Sequence, residues 1–179
     1  MTMDRDGPRP VAHSEDGDRQ PDDLVSLHIA ASPERLYELV SEVTNMGRWS
    51  PETRRARWVD GSTAPVVGAR FKGSNRWHWV RWRTTVQIEA ADAGREFTFC
   101  TMFRGTRATR WSYRFQPVAG GTLVTETRTR IAKVNPEYAF ERVFMRGHEA
   151  SFKHGMLATL RRLKAYVEAD RAGPTRECA

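Results

Sequence analysis

Between residues 54 and 131 apolar and polar side chains alternate with period two, the spacing that sends successive side chains to opposite faces of a β-strand. The alternation predicts strands near 54–59 (RRARWV), 69–76 (ARFKGSNR), 82–91 (WRTTVQIEAA), 95–103 (REFTFCTMF), 107–117 (RATRWSYRFQP) and 122–131 (TLVTETRTRI). Turn signals separate them: DGSTAPVVG, a Trp- and Arg-rich stretch, ADAG and VAGG. Strands joined by such short turns pair antiparallel. An earlier strand, LVSLHIA, is predicted at 24–30. The period then lengthens in SPERLYELVSEV, where Ser32 caps a helix, Pro33 takes its first position and Glu34 suits its positive end. Leu36, Leu39, Val40 and Val43 form its apolar stripe, and NMGRWSPE continues as a short helix or turn. A long helix is predicted from about Pro136 to Asp170, with Met145, Phe152, Met156, Leu160, Leu163 and Val167 along one face.

This order makes an α+β fold in which a curved antiparallel sheet of seven strands wraps one long C-terminal helix, with two short helices between strands 1 and 2. A strongly curved sheet touching a single helix leaves space between them, and that space is the candidate ligand cavity. Alternation selects its lining. Trp82, Thr84, Val86 and Ile88 share the inner face of one strand; Phe97, Phe99, Thr101 and Phe103 share that of the next; Phe71 and Asn75 face them from the strand before. If the last hairpin turns at Val118–Gly121, Phe115 stands opposite Val124, Tyr113 opposite Glu126 and Trp111 opposite Arg128. Glu126 and Arg128 then point inward and are expected to pair, since either charge alone is costly to bury. A turn one residue different would send both to solvent. On the long helix, His148 stands one turn from Met145 and Phe152, within reach of the cavity as a base, a hydrogen-bond donor or a structural polar group.

Composition narrows the picture. The chain has 179 residues, 39% of them hydrophobic, which suits one domain and its tails. Residues 1–22 are rich in Asp, Arg, Pro and Gly and read as a disordered tail, 23–171 as the domain, and 172–179 as a second tail after Gly173-Pro174. The sequence has no apolar run of membrane-spanning length and no secretory h-region, so the cytoplasm is expected. Two cysteines, Cys100 and Cys178, make no disulfide framework. His28, His78 and His154 lack partners at metal spacing, and neither a metal nor a cofactor is expected.

The segments IAASPERLYELVSEVTNMGRWSPE, GARFKG, WRTTVQIEAADAGREFTF, WSYRFQPVAGGTLVTET and GMLATLRRLKAYVE resemble the SRPBCC, or START-like helix-grip, superfamily. That superfamily includes birch-pollen-type allergens and polyketide cyclase/dehydrase-type proteins, and the resemblance covers roughly 24–170. It implies a hydrophobic ligand, aromatic, polyketide-like or lipid, and it implies that Trp49 seals one end of the cavity. The catalytic variant is a polyketide cyclase or dehydratase using Tyr113, Glu126, Arg128 and His148 for acid–base chemistry. No nucleophile motif or phosphate loop is present.

A different class of function rests on RWHWVRWR at 76–83, whose mixture of rings and guanidinium groups suits nucleic acid, a membrane surface or a protein partner. Net charge of +7 adds weak support. Because the stretch falls between two strands, it reads better as a hairpin tip, with Trp82 inward and Trp77, His78 and Trp79 at a rim, lid or homodimer contact. Nucleic acid is the less favoured partner, since no recognition motif accompanies the charge.

Overall fold

A computed structural model of the chain describes residues 20–131 and 148–172. Residues 1–19, Met145 with the first third of the expected long helix, and residues 173–179 lie outside the described residues.

β1 (Asp23–Ile29) is followed by α1 (Pro33–Ser41), a single 3-10 turn (Val43–Asn45) and α2 (Met46–Trp49). The meander is β2 (Thr53–Val59), β3 (Arg70–Trp77), β4 (Val80–Asp92), β5 (Glu96–Phe103), β6 (Thr106–Val118) and β7 (Gly121–Arg130), and α3 (His148–Ala172) closes the described chain. Ser32 caps α1 by accepting from the Arg35 N–H at 3.2 Å, with Pro33 behind it. Besides the expected stripe, α1 buries Tyr37, whose ring meets Phe97 and Phe115 edge-on.

All pairings are antiparallel, in the order β1-β7-β6-β5-β4-β3-β2. Two-residue turns fix the register of three hairpins: His78-Trp79 between Trp77 and Val80, Arg104-Gly105 between Phe103 and Thr106, and Ala119-Gly120 between Val118 and Gly121. His78 takes a positive φ of 49° to close the first of these. The Trp-rich loop is therefore shorter than the alternation alone suggests, and Val80 and Arg81 belong to β4. Asp22, counted with the tail on composition, is tied to the sheet: its carboxylate accepts from the Arg130 N–H at 2.6 Å.

The sheet's inner face packs on α1 and on the α3 stripe Met156, Leu160, Leu163 and Val167. Ile29, Leu36, Phe71, Ile88, Phe97, Val124, Leu160 and Leu163 are almost fully excluded from water. Burying side chains of this size stabilises the fold by about 1.5–3 kcal/mol each. No helix among the described residues is long and apolar enough to cross a membrane.

Candidate functional site

The inner face divides along its length. Under Leu160 and Leu163 it is packed: Ile88, Phe97, Phe99, Phe115 and Val124 are all buried. Towards the β3–β4 hairpin it opens, and Asn75, Trp82, Thr84, Thr101 and Trp111 are each partly accessible, as is Phe152 facing them from α3. Phe71 and Val86 stand between the two halves and are buried. Phe103 differs from expectation. It has the right parity but sits at the strand's end, 39% exposed, beside the Arg104 guanidinium.

The hairpin register places Tyr113 opposite Glu126 and Trp111 opposite Arg128, as a turn at Val118–Gly121 requires. The Tyr113 hydroxyl donates to Glu126 Oε1 at 2.7 Å, and both side chains are buried. Glu126 Oε2 is buried with no hydrogen-bond partner. Desolvation pushes the Glu126 carboxyl up to about 8, and the tyrosine hydrogen bond offsets part of that rise. Burial, and then the nearby carboxylate, raise the Tyr113 phenol well above its ordinary range. At neutral pH both members of this pair hold their protons.

Glu126 and Arg128 do not pair with each other. Positions two apart on one strand face stand about 6.6 Å apart, and each finds a nearer partner across the sheet. The Arg128 Nε donates to Asp23 Oδ2 at 2.7 Å, because the β1–β7 register sets Asp23 directly opposite. Its guanidinium also lies 4.2 Å from the centroid of the Phe152 ring. The positive charge at the floor of the open half is thus held by a carboxylate on one side and a ring on the other.

His148 caps this region from the start of α3. Its Nε2 lies 3.0 Å from Glu52 Oε1, and its ring lies 5.0 Å from Trp77, 5.6 Å from Trp82 and 4.5 Å from Phe152. With the proton on Nε2 and donated to the Glu52 carboxylate, Nδ1 is left as the acceptor. Trp111 meets Phe152 edge-on at 5.8 Å. Two side chains that sequence reasoning left without a role here, Asp23 and Glu52, complete the constellation, together with Trp77, which was expected only at the rim. Trp77 has the parity of Phe71 and Asn75 on β3, a signal that could have placed it inward. Asp23 and Glu52 reach their partners across 105 and 96 residues, and no local pattern announces that.

Trp49 is 4% exposed and packs edge-on against Tyr166 of α3 at 5.1 Å. Its indole N–H is buried without a partner. Two surface clefts flank the domain. One, of about 360 Å³, lies outside His148 and is lined by Glu52, Arg54, Arg76, Trp77, Ser151 and His154. The other, of about 550 Å³, lies among Ser32, Arg35, Gly121, Val167 and Asp170. Neither is the enclosed hollow expected between sheet and helix. No group of His, Cys, Asp and Glu among the described residues is arranged to hold a metal.

Comparison with known proteins places this architecture. Among solved structures, a Polyketide_cyc-like protein of Corynebacterium glutamicum shares 25% identity over 87% of this chain and 96% of its own, with a TM-score of 0.59. A protein of Thermus thermophilus shares 18% over 82% of this chain and 97% of its own, at a TM-score of 0.62. The di-domain ARO/CYC StfQ of the steffimycin biosynthetic pathway shares 15% over 84% of this chain and 51% of its own, at 0.61. The last two likenesses establish the fold alone. Comparison with curated proteins finds no match. Residues 25–168, nearly the whole folded part, match the model of one family, and the chain belongs to it: polyketide cyclase/dehydrase and lipid transport.

Proposed function

We propose that the protein binds a small hydrophobic ligand, aromatic or polyketide-like, against the open half of the inner face. The observation that carries this reading is the ring cluster of Trp82, Trp111 and Phe152, which stays partly accessible while the rest of the inner face is packed. Rings so placed stack on a flat ligand, and the His148 and Arg128 heads beside them orient its oxygen atoms. Family membership supports the class of ligand. Intrinsic tryptophan fluorescence, titrated with a polycyclic phenol, tests the reading. Saturable quenching is expected, and Trp111→Ala should weaken it about tenfold, near the worth of one good aromatic contact. Linear, non-saturating quenching, or an unchanged affinity in Trp111→Ala, would refute it.

A second reading, acid–base turnover of that ligand, rests on the two proton-holding pairs, Tyr113–Glu126 and Glu52–His148. His148 Nδ1 would take a proton from carbon beside a ligand carbonyl. The neutral Glu126 carboxyl would supply one to departing oxygen, so that water is lost and no net proton is consumed. His148→Gln and Glu126→Gln should each suppress dehydration of a β-hydroxyketone probe by about a hundredfold, within the usual range for a general acid or base, with a much smaller loss of binding, and Glu126→Gln should leave binding largely intact. Equal loss of binding and turnover would assign both residues to binding only.

A further inference from the structure

The arginines of the Trp-rich hairpin take no part in that recess, because alternation sends them to the opposite, convex face. Arg55 and Arg57 on β2, Lys72 and Arg76 on β3, and Arg81 and Arg83 on β4 are all exposed there. Register sets Arg57 beside Lys72, Arg76 beside Arg81, and Arg55 and Arg83 on either side of Ser74. Along this face β2, β3 and β4 carry no carboxylate until Glu89, which accepts from Arg107 and Arg110. Among the described residues none of the six cations is in an ion pair; the neighbouring Asp60 lies 3.6 Å from Arg70. The backbone positions that carry neighbouring cations stand about 5–7 Å apart by sheet geometry, closer than the screening length of about 8 Å at physiological salt.

Ordinary solvated faces mix both signs. Charged side chains on an edge strand also guard against unwanted strand pairing, which accounts for β2. It does not account for Lys72, Arg81 and Arg83, which lie on strands with neighbours on both sides. At the tip of the same hairpin, Trp79 is 71% exposed.

We infer that this convex face docks on an anionic lipid surface, with Trp79 entering the headgroup layer as an interfacial anchor. The cations form a two-dimensional array, which matches a charged plane better than the line of charge a nucleic acid backbone presents. No aromatic side chain lies among them for bases to stack on, and the exposed ring stands beyond the strand ends. A convex sheet also touches a plane over more area than it touches a duplex, itself a convex cylinder. Trp side chains favour the membrane–water boundary. The inference does not depend on the ligand reading above.

Sedimentation of the full chain with vesicles tests it, using phosphatidylcholine alone and phosphatidylcholine mixed with phosphatidylglycerol, at low and high salt. Single-stranded and duplex DNA are measured in parallel by filter binding. Partition onto the mixed vesicles alone is expected, and it should fall steeply with salt. Each cation near such a surface is worth about fivefold in partition, so Arg57→Gln, Lys72→Gln, Arg81→Gln and Arg83→Gln combined should lower it on the order of several hundredfold. Trp79→Ala should weaken it further. Arg95→Gln and Arg114→Gln, exposed at the far end of the sheet and paired with Asp92 and Glu96, should each change it by less than about twofold. Unchanged melting temperatures show that the variants are folded. Equal partition onto phosphatidylcholine, retention by the fourfold variant, equal loss in the control variants, binding to DNA without binding to vesicles, or binding to neither would each overturn the inference.

Discussion

Replacing Glu126 by Gln isolates the proton held beneath the inner face. The carboxyl moves from 4.5 to about 8 on folding because burial penalises its charged form. Below about pH 4.5 both states bind the proton, and the group contributes nothing to pH dependence. Between the two values the native state keeps a proton that the unfolded chain has released, so stability falls as pH rises. The slope approaches 1.36 kcal/mol per pH unit, and the loss above about pH 8 is on the order of 5 kcal/mol. That figure is an upper bound, because one water admitted beside Oε2 would recover part of it. Glutamine has nearly the same shape, accepts the Tyr113 hydrogen bond through its amide oxygen, and does not titrate. Urea denaturation, followed by tryptophan fluorescence at steps of pH from about 4.5 to 9, should show the stability difference between Glu126→Gln and the parent growing in favour of the variant up to about pH 8 and levelling off beyond it. His148 and its partner Glu52 are present in both proteins and largely cancel in the difference. A difference that stays flat across the window would mean that Glu126 is ionised in the folded protein, and its role as a proton donor would fall with it.

Other substitutions probe the same framework. Asp23→Asn leaves the Arg128 guanidinium, only 8% exposed, without its anion, and should cost about 3 kcal/mol in a urea midpoint series. Tyr113→Phe strips Glu126 of its donor and should cost about 1–3 kcal/mol, read the same way at pH 6. Gly121→Ala puts a Cβ against the Ile29 carbonyl and Ala30, where backbone has no room to yield. It should lower stability by about 2 kcal/mol or more and should loosen β1, visible as faster hydrogen exchange at Leu27 and Ile29.

Most of the fold was legible because its order is local. From β2 to β7 each strand pairs with the next, and the turn at Ala119-Gly120 is short enough that counting back from it places Phe115, Tyr113 and Trp111 against Val124, Glu126 and Arg128. The faces of Trp82 and Phe99 followed from parity in the same way. What escaped was every partner supplied from far along the chain. Arg128 was expected to satisfy Glu126, yet β1 brings Asp23 beside it, and nothing in the residues around position 128 records that β1 lies there. Glu52 had no assigned chemistry because only the docking of α3 sets His148 against it. Phe103 shows the complementary error: parity gives a face but not the point at which a strand runs past the core.

The pairing of Asp23 with Arg128 has a kinetic corollary. Five hairpin contacts can zip sequentially, each closing a short loop, whereas the first strand must wait for the last to exist and then close a loop of about a hundred residues, as the 105-residue separation of Asp23 and Arg128 records. Formation of that seam is therefore the late event on the folding route. Side chains such as Val25 and Ile29 should have low φ-values, with their truncation accelerating unfolding and leaving the folding rate nearly untouched.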